Sequence, residues 1–281
     1  MSTTKGIFTL FSIAEFADYL DRNSFARPVK LIQNHHTFSP SYASFKDNNH
    51  FHLLDGMRNY HIQHNKWKEI GQNLSTFPDG TVAICRPMDT TPACIFGANT
   101  GAIGIEHVGN FDIGKDVMTQ AHKDCILDLN ALLCNRYKIQ PNTQTIVYHH
   151  WYDLQTGKRT NGSGITKSCP GTNFFGGNKV QDADANFIPL VLQHLQAASW
   201  ANGIAAIAVT KTVNAPSLNV RSAPGVNGNV IQQLVKGTRV TEFYTLNGWS
   251  KISANSDEWV KSSFLVLSNL FLTLIDYVQY F

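Results

Sequence analysis

The sequence changes character near residue 203, and this change constrains the fold more than any other feature. Before it, segments with apolar residues at helical spacing alternate with short apolar runs bounded by turn residues. Such alternation is typical of an α/β layer fold. From residue 208 to residue 267, short extended runs are separated by Pro-Gly, Asn-Gly and Lys-Gly pairs, and no helical period remains. The sequence therefore predicts an α/β domain over residues 1–203 and a small all-β domain over residues 208–267.

Individual segments of the first domain indicate where its helices and strands lie. Helical spacing runs through "FSIAEFADYLDR", where Ser12 is the expected N-cap, and through "DVMTQAHKDCILDLNALLCNRY". The runs "KLIQNHHTF", "GAIGIEHVGNFD" and "TQTIVYHHW" are expected to be strands, and "LSTFPDGTVAIC" to be a hairpin around Asp79-Gly80. The segment "DANFIPLVLQHLQAASWANG" predicts a closing helix that ends at Gly203.

Both ends of the chain carry apolar stretches, and neither is expected to cross a membrane. The N-terminal "MSTTKGIFTLFSIAEFADYL" soon meets acidic residues and lacks a small-residue cleavage site. We therefore expect an amphipathic helix there and no signal peptide. The C-terminal "SNLFLTLIDYVQYF", residues 268–281, is interrupted by polar residues and shorter than the ~20 apolar residues of a membrane span. We expect this tail to form a last helix or strand packed on one domain, and the alternative is a contact with a membrane or a partner.

Charge and cysteine usage narrow the classes of function. The formal net charge of +3 is too small to indicate nucleic-acid binding. The hydrophobic share of 43% is enough for a sizeable core. The five cysteines are an odd number and form no Cys-X-X-Cys pair, which argues against a disulfide framework. Most of them are expected to be buried thiols in a reducing compartment.

Two histidine pairs, each at the end of an apolar run, form the most distinctive motif. They are His35-His36 and His149-His150, and a lone cysteine, Cys169, follows in "KSCPG". Side chains alternate along a strand, so one imidazole of each pair can enter a common site while the other points elsewhere. Two imidazoles and a thiolate would make a three-ligand zinc site with its fourth position free. The alternative is that the pairs arise by chance and that the cysteine is a small buried apolar residue.

Several motifs in a fixed order resemble the zinc-dependent N-acetylmuramoyl-L-alanine amidases. These are "HHT", "IGIEHVGNFD", "IVYHH" and "KSCPG", and "NKWKEIGQNLSTFPDGTVAICRP" resembles a further segment of the family. The resemblance covers about residues 28–200 and extends to the type-2 amidases and peptidoglycan recognition proteins. It implies an α/β fold with a central mixed sheet flanked by helices. It also implies a Zn²⁺ cofactor held by His35, His149 and Cys169.

The same resemblance implies roles for five further residues. Glu106 would lie beside the metal-activated water, and Lys167 would stabilise the transition state. The competing interpretations are an exposed carboxylate at the end of a strand and a solvated loop cation. His36 and His150 would lie behind the metal ligands or in a substrate groove. Gln72 stands where many relatives have a tyrosine that holds the substrate carbonyl, and a glutamine amide can also donate a hydrogen bond.

One segment departs from the family pattern. The stretch "WYDLQTGKRTNGSGIT" makes the connection between the second histidine pair and the cysteine longer than in most relatives. We expect it to form a loop at the rim of the groove, where it would affect substrate selectivity more than metal binding.

Residues 208–267 resemble bacterial Src-homology-3-like (SH3-like) modules. The matching segments are "LNVRSAPG", "VIQQLVKGTRVTEF", "NGWSKI" and "EWVKSSFL". The resemblance implies a small barrel that binds the cell wall. Trp249, Trp259 and Tyr244 are candidate contacts, although packing in the core is the commoner fate of a tryptophan in so small a domain.

Taken together, the resemblances imply hydrolysis of the amide between N-acetylmuramic acid and L-alanine, with peptidoglycan as the partner and the cell wall as the place of action. Without a signal peptide, the protein would reach the wall by export or release along another route. Two alternatives stay open: a peptidoglycan receptor without catalysis, and a zinc hydrolase of another amide. Inactive relatives commonly lack the cysteine ligand, so the presence of Cys169 favours an enzyme. An autolysin, a phage endolysin and an antibacterial effector would all fit an amidase that has a wall-binding domain and no signal peptide.

Overall fold

The computed structural model describes residues 2–201, 209–246, 248–253 and 256–267. The chain divides into two compact units, Met1–Ala198 and Ser199–Phe281. All five cysteines are free thiols, and four of them are buried. Within the described residues, every helix is too short or too polar to cross a membrane.

A seven-stranded mixed sheet forms the centre of the first unit. Its strand order is β1-β2-β5-β4-β6-β3-β7. The strands are β1 (Thr3–Lys5), β2 (Phe8–Phe11), β3 (Leu31–His36), β4 (Leu74–Thr76), β5 (Val82–Ile84), β6 (Ala102–His107) and β7 (Ile146–Tyr148). Strand β3 pairs in parallel with β6 and β7, β4 pairs in parallel with β6, and the other pairings are antiparallel. The predicted α/β fold with a mixed sheet is confirmed.

Helices flank this sheet where the sequence has helical spacing and capping residues. They are α1 (Ile13–Arg22), α2 (His50–Asn59), α3 (Gln120–Tyr137), α4 (Val180–Asp182) and α5 (Ile188–Ala201). A capping box begins α1, because the Ser12 hydroxyl accepts from the Glu15 amide and the Glu15 carboxylate accepts from the Ser12 amide. Thr119 caps α3 through the amide of His122. Two π-helical turns, Tyr60–His64 after α2 and Ala183–Phe187 before α5, extend these helices.

Parallel pairing explains why β3 is almost entirely buried. Every residue of β3 except Leu31 is buried, as expected for a parallel strand covered on both faces. On one face, α3 contributes Asn130, whose side chain bonds Asn34 of β3. Parallel strands β3, β6 and β7 end at the same edge of the sheet, so residues at their carboxyl ends lie close together.

The structure differs from two sequence-based expectations. The first residues form the β1–β2 hairpin instead of a helix, because Gly6 adopts a positive φ of 60° in the turn and β2 pairs with β5 at the sheet edge. Strand β7 ends at Tyr148, where its pairing with β3 also ends. The second histidine pair therefore lies in the 3₁₀ turn His149–Trp151 and not on the strand.

The second unit is all-β, as predicted. Its five-stranded sheet has the order β10-β9-β14-β13-β12 and its three-stranded sheet the order β11-β8-β15. The strands are β8 (Val209–Val213), β9 (Ser217–Arg221), β10 (Val230–Val235), β11 (Arg239–Glu242), β12 (Tyr244–Leu246), β13 (Trp249–Lys251), β14 (Trp259–Lys261) and β15 (Leu265–Leu267). A separate apolar core contains Val213, Ala215, Leu218, Val220, Leu234, Val240, Val260 and Leu265.

The two tryptophans considered as candidate wall contacts are packed into this unit. Trp249 is 8% exposed and Trp259 is 4% exposed. Lys261 lies over the Trp249 ring and Lys251 over the Trp259 ring, which covers their faces with aliphatic stems and ammonium groups. Of the two alternatives open for these tryptophans, exposed wall contact is wrong and core packing is what the structure shows. The Tyr244 side chain, Gly203 and residues 268–281 lie outside the described residues.

Candidate metal centre and groove

Three side chains from distant parts of the sequence meet at the carboxyl edge of the sheet. His35 is the penultimate residue of β3, His149 begins the turn after β7, and Cys169 lies in the loop that follows. One potential ligand atom from each of the three lies within 4.8 Å of the other two. The Sγ atom of Cys169 is 3.4 Å from Nδ1 of His35, and the two imidazole centroids are 5.0 Å apart. The structure thus brings together the three residues predicted as ligands.

Distances and donor chemistry of this group fit zinc. In a tetrahedral site with ordinary Zn–N and Zn–S lengths, nitrogen and sulfur ligands lie about 3.5 Å apart, close to the separation seen here. Nε2 of His35 is buried without a hydrogen-bond partner, so this imidazole has an unsatisfied polar atom. Burial lowers the pKa of both histidines, that of His149 to about 3, which keeps their lone pairs available.

Burial also raises the pKa of the Cys169 thiol, because a thiolate is costly to bury without a compensating charge. A divalent cation at this position would supply that charge and favour the deprotonated sulfur. Two imidazoles and one thiolate also leave one tetrahedral position for a non-protein ligand, as in catalytic zinc sites.

A groove with a volume of about 970 Å³ runs over the metal-ligand group. One wall consists of Thr37–Pro40 and Ser44, and the other consists of α2, its π-helical turn and Trp67. His35, His149 and Cys169 all contribute to the lining. A cleft of this size admits a ligand of several residues or sugar rings.

Glu106 lies directly beside the metal-ligand group. It is the penultimate residue of β6 and is paired in register with His35 of β3. Its Oε2 atom is buried without a hydrogen-bond partner, so the interpretation as an exposed strand-end carboxylate is wrong. Burial raises the pKa of this carboxyl to about 8, against the opposing effect of the nearby Lys167 charge. Glu106 can therefore exchange a proton near neutral pH.

Lys167 lines the same groove and is exposed. Its positive charge contributes to the lowered pKa values of His35 and His149, after burial, which places the ammonium group in electrostatic range of the site. A flexible cation at the edge of the metal-ligand group can reach a substrate oxygen.

The second histidine of each pair has a different environment. His36 lines the groove, and its Nδ1 accepts a hydrogen bond of 3.1 Å from the Phe111 amide, so its proton resides on Nε2. Burial lowers the pKa of His36 to about 4. His150 is not among the groove-lining residues; its Nδ1 donates to the Lys167 carbonyl at 2.8 Å. His150 therefore fastens the loop that carries Lys167, and the structure does not bring it to the substrate side.

Gln72 lines the groove but is fully buried. Its Nε2 amide donates to the Ser75 hydroxyl at 3.0 Å, while its Oε1 atom is buried without a partner. The amide group expected to hold a substrate carbonyl is thus already engaged. Sequence alone does not reveal this, because it depends on how β4 places Ser75.

The long connection before Cys169 does not form the groove rim. None of residues 152–166 lines the groove. The Asp153 carboxylate accepts from the amides of Thr156 and Ile165 and folds the loop on itself. A Cβ atom at Gly97 would lie 2.3 Å from the Gly157 carbonyl oxygen, so the loop packs closely against the segment that contains Gly97.

Sequence reasoning missed the aromatic wall of the groove. His61 stacks on Trp67 with centroids 4.7 Å apart, and His64 stacks on Tyr60 at 4.6 Å. Trp67 and Tyr60 are 38% and 55% exposed. Tyr60, His61 and His64 belong to the π-helical turn, which has no signature at the ordinary helical period, although the cluster of histidines and aromatics after α2 was visible in the sequence.

The first unit is an α/β fold whose mixed sheet carries a His-His-Cys group at its carboxyl edge, with a groove above it. These features define a protein with a candidate metal centre that is open to a ligand. Residues 25–172 match the model of the N-acetylmuramoyl-L-alanine amidase family, and the chain belongs to this family. Residues 216–266 match the bacterial SH3 domain. Both resemblances inferred from the sequence are confirmed. No curated protein sequence matches the chain.

Solved structures similar to this chain include proteins of two kinds. Wild-type Drosophila PGRP-LB is 17% identical, with a TM-score of 0.43, over 58% of this chain and 84% of that one. The N-acetylmuramoyl-L-alanine amidase LysC from Clostridium intestinale URNW is 23% identical, with a TM-score of 0.40, over 54% and 82%. Peptidoglycan recognition protein LE in complex with tracheal cytotoxin is 22% identical, with a TM-score of 0.42, over 52% and 76%.

Proposed function

We propose that this chain is a zinc-dependent hydrolase that cleaves the amide bond between N-acetylmuramic acid and L-alanine of peptidoglycan. The observation that carries the proposal is the convergence of His35, His149 and Cys169 beside the partly buried carboxyl of Glu106, inside one groove. Membership of the amidase family supports the substrate and the bond.

The three converging residues would hold the metal, and neighbouring groups would move protons and stabilise charge. When bound, zinc supplies a Lewis acid that polarises a carbonyl and acidifies water. The Glu106 carboxylate accepts the proton of the attacking water and passes it to the L-alanine nitrogen as the C–N bond breaks. The Lys167 ammonium group donates to the carbonyl oxygen as that atom gains negative charge. Burial of the carboxyl favours this role of Glu106, because its raised pKa suits proton exchange near neutral pH.

Two alternative functions predict different products. A receptor without catalysis would bind muropeptides and release nothing, and a hydrolase of another amide would leave the bond between N-acetylmuramic acid and L-alanine intact. The buried thiol of Cys169 next to His35 favours catalysis, because a receptor needs the groove but no three-ligand group with a free position.

Incubation of the pure protein with peptidoglycan, followed by labelling of new amino termini, tests the proposal. We expect new L-alanine termini and one zinc ion per chain by metal analysis. Cys169→Ser is expected to lose most zinc and most activity. Glu106→Gln keeps the shape of the side chain and is expected to retain zinc while kcat falls roughly 100-fold or more. Zinc-loaded wild-type protein that releases no L-alanine termini would eliminate the amidase proposal.

We also propose that the second unit holds the enzyme near its substrate in the cell wall. The match of residues 216–266 to the bacterial SH3 domain supports this role. Tethering of this kind raises the local concentration of substrate at the catalytic unit. Action on the wall then requires export or release of the protein from the cell in which it is made.

A further inference from the structure

A chain of hydrogen-bonded side chains crosses the face of the central sheet opposite the metal-ligand group. It links α3, three adjacent strands and the loop that forms one wall of the groove. Its members are Asn130, Asn34, His107, Thr76, His122 and Tyr42. All of them except Tyr42, which is half-buried, have no exposed surface.

One end of this chain fixes the orientation of its first two amides. Asn130 Nδ2 donates to the Ile126 carbonyl at 2.9 Å, which identifies its nitrogen side. Asn130 and Asn34 then exchange two amide hydrogen bonds of 3.0 Å. The Asn34 Oδ1 atom is therefore an acceptor, and the His107 Nε2 atom, 3.0 Å away, must carry a hydrogen.

The rest of the chain follows in one direction from this assignment. His107 Nδ1 has only a lone pair left, so it accepts from the Thr76 hydroxyl at 2.8 Å. The Thr76 oxygen then accepts from His122 Nε2 at 2.7 Å. His122 Nδ1 in turn accepts from the Tyr42 hydroxyl at 2.8 Å. His107, Thr76 and His122 each donate once and accept once along the chain, so both histidines are neutral.

The hydrogen-bonded chain joins the three strands that carry the groove-side residues of the site. In the order β4-β6-β3, Ser75, Glu106 and His35 form one row of laterally paired residues on the groove side. On the opposite side, Thr76, His107 and Asn34 occupy the flanking positions and are bonded in series. Thr76, His107 and Asn34 are adjacent in sequence to Ser75, Glu106 and His35, respectively. Because side chains alternate along a strand, the two sets point to opposite faces of the sheet.

We propose that Asn34, Thr76 and His107 are positioning residues that set the separation of His35 and Glu106. This role rests on the proposed function, since it concerns the same metal ligand and the same proton acceptor. Main-chain ladder bonds alone leave the strand ends free to splay where the strands stop. The side-chain links tie β3, β6 and β4 at that end, in a low-dielectric interior where hydrogen bonds are strong and their loss is costly.

Thr76→Val tests this inference, because it removes one hydroxyl and keeps the shape of the side chain. Without that hydroxyl, His107 Nδ1 loses its donor and His122 Nε2 loses its acceptor. We expect kcat on muropeptides to fall roughly tenfold while KM stays within twofold of wild type. A tenfold loss is the lower end of the range seen when a residue that supports a metal ligand is removed. In Co²⁺-substituted protein, the d–d bands that report ligand geometry should shift. Thr76→Ser restores the hydroxyl and should restore both readouts.

Thr145→Val is the matched control. The Thr145 hydroxyl also bonds neighbouring groups, at the opposite end of β7, and donates to the Gln140 carbonyl. The Thr145→Val substitution should lower the free energy of unfolding without altering kcat or the Co²⁺ spectrum. Equal spectra and equal kcat for Thr76→Val and wild type would overturn the positioning role. Wild-type protein that binds Co²⁺ but cleaves nothing would overturn the proposed function. The spectra of the two valine variants would still decide whether the hydrogen-bonded side chains position His35.

Discussion

At the scale of residues, the site consists of the potential metal ligands His35, His149 and Cys169 and of side chains that fix the segments around them. The two histidine pairs and Cys169 could be selected because imidazole and thiolate are the ligands that zinc prefers. Sequence could not show that His150 faces away and bonds the Lys167 carbonyl, since this depends on where β7 stops. Nor could it show that Ser75 engages Gln72.

Lys167 offers a direct test of charge stabilisation in the groove. Lys167→Met removes both the charge and the hydrogen-bond donor and keeps an unbranched side chain of similar length. We expect kcat to fall roughly 100-fold, because a lost donor to a developing oxyanion costs about 3 kcal/mol of barrier. Zinc content should stay the same, since Lys167 is not one of the three potential ligands. Steady-state kinetics and metal analysis measure both.

Lys158→Met is the control for that substitution. Lys158 is exposed on the same loop and does not line the groove. It should leave kcat within twofold of wild type. If both variants lose activity alike, the effect belongs to the loop and not to the Lys167 ammonium group.

Buried neutral histidine makes the first unit sensitive to acid. Burial lowers the pKa of His122 to about 3, against the opposing charge of Asp79. The unfolded chain binds a proton near pH 6.5 and the folded chain does not, so this contribution to stability is full above about pH 6.5 and is lost as pH falls toward 3. At pH 5 the loss amounts to about 2 kcal/mol.

His122→Gln isolates this contribution, because glutamine does not titrate. Urea unfolding of metal-free protein at pH 7 and at pH 5 should show a smaller drop in the free energy of unfolding for the variant than for wild type. The expected difference between the two drops is about 2 kcal/mol. Equal drops would mean that the buried imidazole is not neutral in the folded protein.

At the scale of elements, local signals predicted helices better than edge strands. Ser12 and Glu15 form a capping pattern that indicates the start of α1, and the apolar residues of α3 recur at helical spacing in the sequence. The β1–β2 hairpin was missed because the run after Gly6 is short and apolar, and such a run fits either a strand or a helix. Its pairing with β5 decides the outcome, and that contact is distant in sequence.

The capping box of α1 predicts a measurable loss of stability. Ser12→Ala removes the acceptor of the Glu15 amide and is expected to lower the free energy of unfolding by about 1 kcal/mol. Ser24→Ala serves as the control, since Ser24 is exposed and lies in the loop after α1. Chemical denaturation measures both variants. A loss for Ser24→Ala as large as for Ser12→Ala would show that the cap contributes nothing specific.

At the scale of the whole molecule, the change in sequence character near residue 203 corresponds to two separate sets of core residues. One cluster in the first unit spans Phe8 to Val108, and the core of the second unit spans Val213 to Leu265. Composition and turn residues were enough to predict an all-β unit. For Trp249 and Trp259 they left surface contact and core packing both open, because exposure is decided by cross-strand neighbours such as Lys261 and Lys251.

Separate cores allow the contribution of the second unit to be removed without cutting the chain. Val260 has no exposed surface, and Val260→Asp places an unpaired charge in the second core, which should unfold that unit alone. Hydrolysis of soluble muropeptides should stay within twofold of wild type, whereas release of L-alanine termini from intact walls should fall roughly tenfold or more as tethering is lost. Val230→Asp makes the same change at a position that is 49% exposed and should preserve both activities. Loss of activity on soluble substrate in Val260→Asp would show that the first unit depends on the second for its own folding.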